Sequence, residues 1–320
     1  MRIEKLNQTT KKNLLEDLLK RSPNSYEMYE EQVKAILDNV KKRGDEALFE
    51  YTEKFDGFCL DQQSVLVKEE EIEEAYTQVD RGLIEIIRKA LKNIETYHEK
   101  QRQYSWFDSK PDGTILGQKV TALDRVGVYV PGGKAAYPSS VLMNIVPAKT
   151  AGVREIIMVT PPGKDGKVNP TTLVAAKEAG ADKIYKVGGA QAIAALAYGT
   201  ESISKVDKIV GPGNIYVALA KKAVYGHVSI DSIAGPSEIL VLADETANPR
   251  YVAADLLSQA EHDEMASAIL VTVSMELAEK VSEQTELFIS QLSRGEIIRK
   301  SLDNYGHILV ADTMDEAIDA

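Results

Sequence analysis

After residue 120 the chain alternates short β-branched runs, Gly-rich turns and Ala-rich stretches of helical length, which predicts an α/β fold with mostly parallel sheets. Before Trp106 the texture is charged, with apolar residues at three- and four-residue spacing such as Val33, Ile36, Leu37 and Val40, the mark of amphipathic helices. A length of 320 residues suffices for two such domains with separate cores. The expected architecture is two Rossmann-like βα domains plus an N-terminal helical arm over residues 1–23.

The elements follow in chain order. Ser22-Pro-Asn24 is expected to hinge the arm to the body, Gly44-Asp45 to separate two helices, and Val65-Leu-Val67 to form a short strand. The acidic run Glu69-Glu-Glu-Ile-Glu-Glu74 opens the next helix, where the helix dipole favours negative charge. Strands are expected at Val126–Val130, Glu155–Thr160, Lys183–Val187, Lys208–Val210, Val228–Ile230, Ile239–Leu242, Ala268–Val273 and His307–Val310, with helices in most gaps. The βα stretches before and after Gly235-Pro236 read as two sheets. This places 24–126 together with 236–320 in a first domain and 127–235 in a second, inserted one, with a cleft between the sheets for two ligands.

Composition narrows the function. Lys and Arg number 38 against 49 Asp and Glu, a net charge of -11, which argues against nucleic acid, since phosphate neutralisation needs clustered cations. No apolar run approaches the roughly 18 residues that span a bilayer, so no membrane is expected. The first twenty residues lack the pattern of a secretory signal, and a single cysteine, Cys59, fits a reducing, cytoplasmic compartment. Any metal must then sit on nitrogen and oxygen ligands.

Ligands of a parallel α/β sheet bind beyond the carboxyl ends of its strands. Four turns at strand ends are therefore the candidate sites: Tyr129-Val-Pro-Gly-Gly133, Val187-Gly-Gly-Ala-Gln191, Gly211-Pro-Gly-Asn214 and Ala234-Gly-Pro-Ser-Glu238. Glycine lets a ligand approach the backbone, and a following helix N-terminus favours phosphate. Gly-x-Gly-x-x-Gly and the Gly-Lys-Ser/Thr ending of a P-loop are both absent, so a dinucleotide would bind atypically. Tyr129 offers an aromatic face and hydroxyl to a ribose or nicotinamide. Ser237 offers a hydroxyl to a polar ligand, without the Gly-x-Ser-x-Gly context of a nucleophile.

In Asp255-Leu-Leu-Ser-Gln-Ala-Glu-His-Asp263 the three-residue spacing of Gln259 and His262 puts an amide oxygen and an imidazole on one helix face, a pair able to hold a divalent metal. His98, in a charged helix, His227, after a turn glycine, and His307, opening a strand, read as structural.

Five motifs in order, Arg125-Val-Gly-Val-Tyr-Val-Pro-Gly-Gly133, Val187-Gly-Gly-Ala-Gln-Ala-Ile-Ala-Ala-Leu-Ala-Tyr-Gly-Thr200, Gly211-Pro-Gly-Asn214, Ala234-Gly-Pro-Ser-Glu238 and Leu256-Leu-Ser-Gln-Ala-Glu-His-Asp263, resemble histidinol dehydrogenase. The resemblance implies oxidation of L-histidinol through L-histidinal to L-histidine with two NAD and zinc, the last step of histidine biosynthesis. It matches Tyr129, Gln191 and Asn214 to NAD-contacting positions, Ser237 to a substrate contact, and Gln259 and His262 to residues that bind zinc and border the substrate. It also implies a homodimer. Relatives carry a catalytic Glu-His pair, and further Asp and His zinc ligands, beyond the segment corresponding to Met314–Ala320. The chain is therefore expected to be a fragment with no catalytic acid-base residue of its own, an incomplete zinc site and little or no turnover. The alternative is a non-catalytic relative that binds a nucleotide or amino-alcohol; a different alcohol dehydrogenase on this scaffold need not keep Gln259 and His262.

Overall fold

The computed structural model describes residues 1–19, 27–132, 137–233 and 235–320. The expected hinge at Ser22-Pro-Asn24 and the expected boundary at residue 23 lie outside them.

The chain opens with β1 (Arg2–Lys5) and α1 (Gln8–Leu19), whose first turn is capped by Asn7 accepting from the Thr9 and Thr10 amides at 2.9 and 3.0 Å. Four helices follow: α2 (Glu27–Arg43), α3 (Asp45–Asp56), α4 (Glu69–Gln78) and α5 (Arg81–Glu99). Gly44 separates the first two as expected. The acidic run does open α4, and its carboxylates are engaged as well as favoured by the dipole: Glu69 meets Lys177, Glu71 meets Lys186 and Glu74 meets Lys167.

A hairpin of β2 (Trp106–Ser109) and β3 (Ile115–Gln118) precedes β4 (Arg125–Tyr129), α6 (Pro138–Thr150), β5 (Glu155–Val159), α7 (Pro170–Ala179) and β6 (Lys183–Tyr185). Then come α8 (Gly189–Tyr198), β7 (Lys208–Val210), α9 (Ile215–Val224) and β8 (Ser229–Ile230). The last stretch is β9 (Glu238–Ala243), α10 (Pro249–Ala260), β10 (Ser267–Thr272), α11 (Met275–Ile289), α12 (Gly295–Tyr305), β11 (Gly306–Val310) and α13 (Met314–Asp319). Each expected strand after residue 120 is present, Lys208–Val210 with the expected bounds and the others shifted by one or two residues. Val65-Leu-Val67 makes only a single antiparallel bridge, Leu66 to Tyr185. Among the described residues no helix is long and apolar enough to cross a membrane.

The chain forms two compact units, residues 26–234 and residues 1–25 with 235–320. The first carries a parallel sheet in the order β6-β5-β4-β7-β8. On one face α6 and α7 bury Leu142, Ile145, Leu173 and Val174 beside Ile84 and Ile87 of α5. On the other, α8 and α9 pack under α2, which contributes Val33, Leu37 and Val40. Residues Ala190 to Ala197 of α8 are all buried, and five of these eight are alanine, because the helix lies between the sheet and α2. The grouping of 24–126 with 236–320 is thus not what forms, because the apolar faces of α2 and α5 are spent on the 127–234 sheet.

The second unit carries the parallel order β1-β11-β10-β9. β10 is buried on both faces, covered by α10, α11 and α12 on one side and by Leu14 of α1 and Ala317 of α13 on the other. The expected helical arm is accordingly part strand: Arg2–Lys5 pairs in register with His307–Val310.

Candidate functional site

In the 26–234 unit the chain winds from β4 outward to β6, then returns to the other side of β4 to lay down β7 and β8. Strand succession reverses between β4 and β7, the place where open α/β sheets hold ligands beyond their carboxyl ends. Three of the four expected turns converge there. Gly211, at φ +113°, approaches the β4 backbone so closely that a Cβ would lie 2.1 Å from the Tyr129 carbonyl oxygen. Behind it the buried Lys221 ammonium donates to the Gly211 carbonyl at 2.9 Å and pairs with Asp231, whose carboxylate accepts from the Gly211 amide at 2.8 Å. This clamp fixes the Gly211-Pro-Gly-Asn214 turn. Asn214 caps α9, accepting from the Val217 amide at 3.2 Å, and is exposed.

Tyr129 and Gln191 meet at the start of α8. The Gly189 amide donates to the Tyr129 hydroxyl at 3.1 Å, and a Cβ on Gly189 would sit 2.6 Å from the Gln191 amide oxygen. Tyr129 is 4% exposed, with its ring in the core, so the aromatic face expected to meet a ligand is covered in this structure. Burial pushes its hydroxyl up to about 12 against the opposing Gly189 hydrogen bond, and the Asp56 carboxylate adds to the rise. The hydroxyl therefore stays protonated and keeps its own hydrogen to donate. Gln191 is 1% exposed, yet its Oε1 has no hydrogen-bond partner among the described residues. A buried amide oxygen left empty loses about 1–3 kcal/mol of hydration without return, so a donor from a ligand is the natural complement. The amides of Ala190 and Gln191 likewise find no acceptor among the described residues.

Asp56 ends α3 and carries a second orphan, a buried Oδ2. Desolvation pushes its carboxyl up to about 6. Folding thus tightens its hold on the proton, so its contribution favours the fold below 3.8, declines as pH rises to about 6 and then levels off. Thermal melts of Asp56→Asn beside the parent are expected to show the substitution growing more favourable across that window; a difference independent of pH would contradict the assignment.

Sequence reasoning overlooked one turn at the same edge. Thr160-Pro-Pro-Gly163, after β5, lines a cavity of about 330 Å³ with Pro131, Gly132 and the Asn169 cap of α7. Its signal, a Gly-containing turn after an apolar strand, was the one used for the other four. Lys221 and Asp231 gave no such signal, since only burial sets this lysine apart from any other on a helix.

In the other unit Ser237, Gln259 and His262 share the opposite kind of edge. Ser237 precedes β9, with its carbonyl accepting from the Ser267 amide at the start of β10 at 2.9 Å. The fourth turn therefore leads into a strand instead of closing one, and the carboxyl-end rule does not extend to this sheet. Asn248 caps α10 and Pro249 opens it, and the helix ends at Ala260. His262 consequently lies just past the helix, its amide bonded to the Gln259 carbonyl at 3.0 Å, so the shared helix face expected for the pair becomes a terminal turn. Gln259 is half-buried and His262 exposed, and neither side chain is held by a hydrogen bond among the described residues. An amide oxygen and an imidazole are donors zinc accepts, and they supply two of its usual four. No group of three His, Cys, Asp or Glu able to hold a metal occurs among the described residues.

Of the remaining histidines, His98 bonds Gln101 at 2.7 Å, His227 packs on Tyr198, and His307 is buried with its Nδ1 3.6 Å from Glu4, beyond hydrogen-bond reach.

The sequence model of the histidinol dehydrogenase family matches residues 19–320. The chain belongs to the histidinol dehydrogenase family. It is 62% identical to the histidinol dehydrogenase of Bacillus subtilis over 90% of its own length and 67% of that protein. With that of Geobacillus kaustophilus it shares 61% over 91% of its length and 69% of the relative's. The crystal structure of histidinol dehydrogenase from Elizabethkingia anophelis superposes with a TM-score of 0.91 at 38% identity, covering the whole chain and 72% of that structure. The chain spans about two thirds of the length of these curated histidinol dehydrogenases. The family is one of oxidoreductases, and the non-catalytic alternative is not favoured by relatives this similar.

Proposed function

We propose that the chain binds NAD on its 26–234 unit, and zinc and L-histidinol on its other unit, in the oxidation of L-histidinol through L-histidinal to L-histidine. The observation that carries this reading is the empty Gln191 amide oxygen at the β4/β7 reversal, beside a Tyr129 hydroxyl with a proton to give. Gln191 accepts from the dinucleotide, Tyr129 donates to it, and the open amides at the start of α8 face its negative charge. Asn214 holds the α9 end of the same edge.

Tyr129, Gln191 and Asn214 are the residues that would hold NAD, which would supply the two-electron acceptor for each of the two oxidations, of the carbinol and of the hydrated aldehyde. Gln259 and His262 are the residues of this chain that would hold zinc, which supplies a redox-inert anchor for the amine and imidazole of the substrate. The Ser237 hydroxyl orients a polar group of the same molecule. A homodimer and a cytoplasmic location belong to this reading; the latter accords with the single Cys59, exposed and unpaired.

Titration calorimetry with NAD tests the first half, and absence of binding would remove it. For the second, structural zinc sites hold about 10–16 kcal/mol over four ligands, or about 3 kcal/mol per ligand. His262→Ala is therefore expected to weaken zinc on the order of a hundredfold in competition with a chromophoric chelator. Unchanged zinc affinity would assign the metal elsewhere.

A further inference from the structure

In dinucleotide folds an acidic side chain at the end of the second strand accepts the hydroxyls of the adenosine ribose. The corresponding strand here, β5, runs into Thr160-Pro-Pro-Gly163, which contains no acid. The next one, Asp165, is exposed and committed to its own turn, accepting from the Lys167 amide at 3.1 Å. A diol-binding carboxylate must come from another element.

Asp56 meets the need. It closes α3, which packs against α8, the helix that carries Gln191. Gly57 stops the helix in the left-handed conformation at φ 74° and returns its amide to the Glu53 carbonyl at 3.1 Å, which fixes where the last side chain of α3 emerges. The Asp56 carboxylate lies close enough to the Tyr129 hydroxyl to act on it electrostatically, and its Oδ2 is shut off from water with no donor among the described residues. The same neighbourhood therefore holds a charged acceptor, a neutral acceptor in Gln191 and a spare proton on Tyr129. Neighbouring hydroxyls that both donate and accept are the ligand chemistry that satisfies all three.

We propose that Asp56 binds the adenosine ribose diol of the dinucleotide and sets the preference for NAD over its 2′-phosphorylated form. This rests on the NAD reading above. A 2′-phosphate would bring two negative charges onto a carboxylate that has no counter-ion among the described residues, whereas the free diol supplies the missing donors. The high affinity of this carboxyl for a proton has the same origin as its affinity for a hydroxyl donor: the site is short of hydrogens.

The test is calorimetric titration of the parent, Asp56→Asn, Asp56→Ser and Gln191→Leu with NAD and with NADP. Asp56→Asn keeps the shape and removes a buried charge, so it should fold, with Asp56→Ser as a second variant. The expected result is NAD binding about tenfold or more weaker in both Asp56 variants, with NADP unchanged or tighter, so that the NAD/NADP ratio collapses. A ratio left intact in both, while Gln191→Leu still weakens NAD, overturns the role of Asp56 and leaves the NAD site standing. A parent that binds neither nucleotide overturns both readings, and equal weakening for NAD and NADP makes Asp56 a structural residue, not a selector.

Discussion

Gln191→Leu should leave a chain that is more stable yet loses NAD. The side chain is 1% exposed and its Oε1 makes no hydrogen bond among the described residues, so leucine of similar size removes an unsatisfied polar atom from a helix that also buries Ala192, Ile193 and Leu196. The gain expected is about 1–2 kcal/mol, or roughly 2–4 °C in Tm per kcal/mol for a unit of this size. A bound dinucleotide would then face a methyl group where its donor needs an acceptor, a loss of about 2–3 kcal/mol and on the order of a hundredfold in Kd. The opposite signs carry the diagnosis, because a residue kept for packing would lower stability and leave affinity proportionate. If calorimetry shows the Gln191→Leu variant binding NAD as the parent does, the orphaned oxygen is not a ligand contact.

Gly211→Ala has the largest expected cost to the fold. The residue sits at φ +113°, where an L side chain is strained, and its Cβ would come within 2.1 Å of the Tyr129 carbonyl oxygen, a backbone atom of the central strand that cannot step aside. Strain and overpacking each contribute about 1–3 kcal/mol, so about 2–6 kcal/mol is expected in total, measured by denaturant unfolding. Any variant that folds must move Gly211 off β4, which loosens the Lys221–Asp231 clamp and displaces Asn214, and NAD affinity should fall with it. A melt within about 1 °C of the parent would show that the turn is free to relax, contrary to a clamp of this kind.

Much of this was written in consecutive residues. Short β-branched runs followed by Ala-rich stretches located the strands and helices after residue 120, and the Gly-rich runs marked the turns where Tyr129, Gln191 and Asn214 now converge. Asp112-Gly113, with Gly113 at φ 85°, is a hairpin signal between β2 and β3, whose eight residues are all exposed and so show no alternation of burial. His262 was placed on a helix because helix ends leave only a weak mark when, as here, the C-cap Glu261 keeps a helical backbone in place of a glycine stop.

The sequence by itself determined the fold class, the parallel strands and the family, since periodicity, turn chemistry and ordered motifs are properties of neighbouring residues. Only the tertiary structure decided that Arg2–Lys5 is an edge strand, that α2 and α5 belong with the 127–234 sheet, and that Lys221, Gln191 and one carboxylate oxygen of Asp56 are shielded from water. An edge strand exists through backbone pairing with a partner some 300 residues away, and a polar group becomes an orphan only when distant segments close over it. Burial and long-range pairing depend on which surfaces meet, and no short window of residues specifies that.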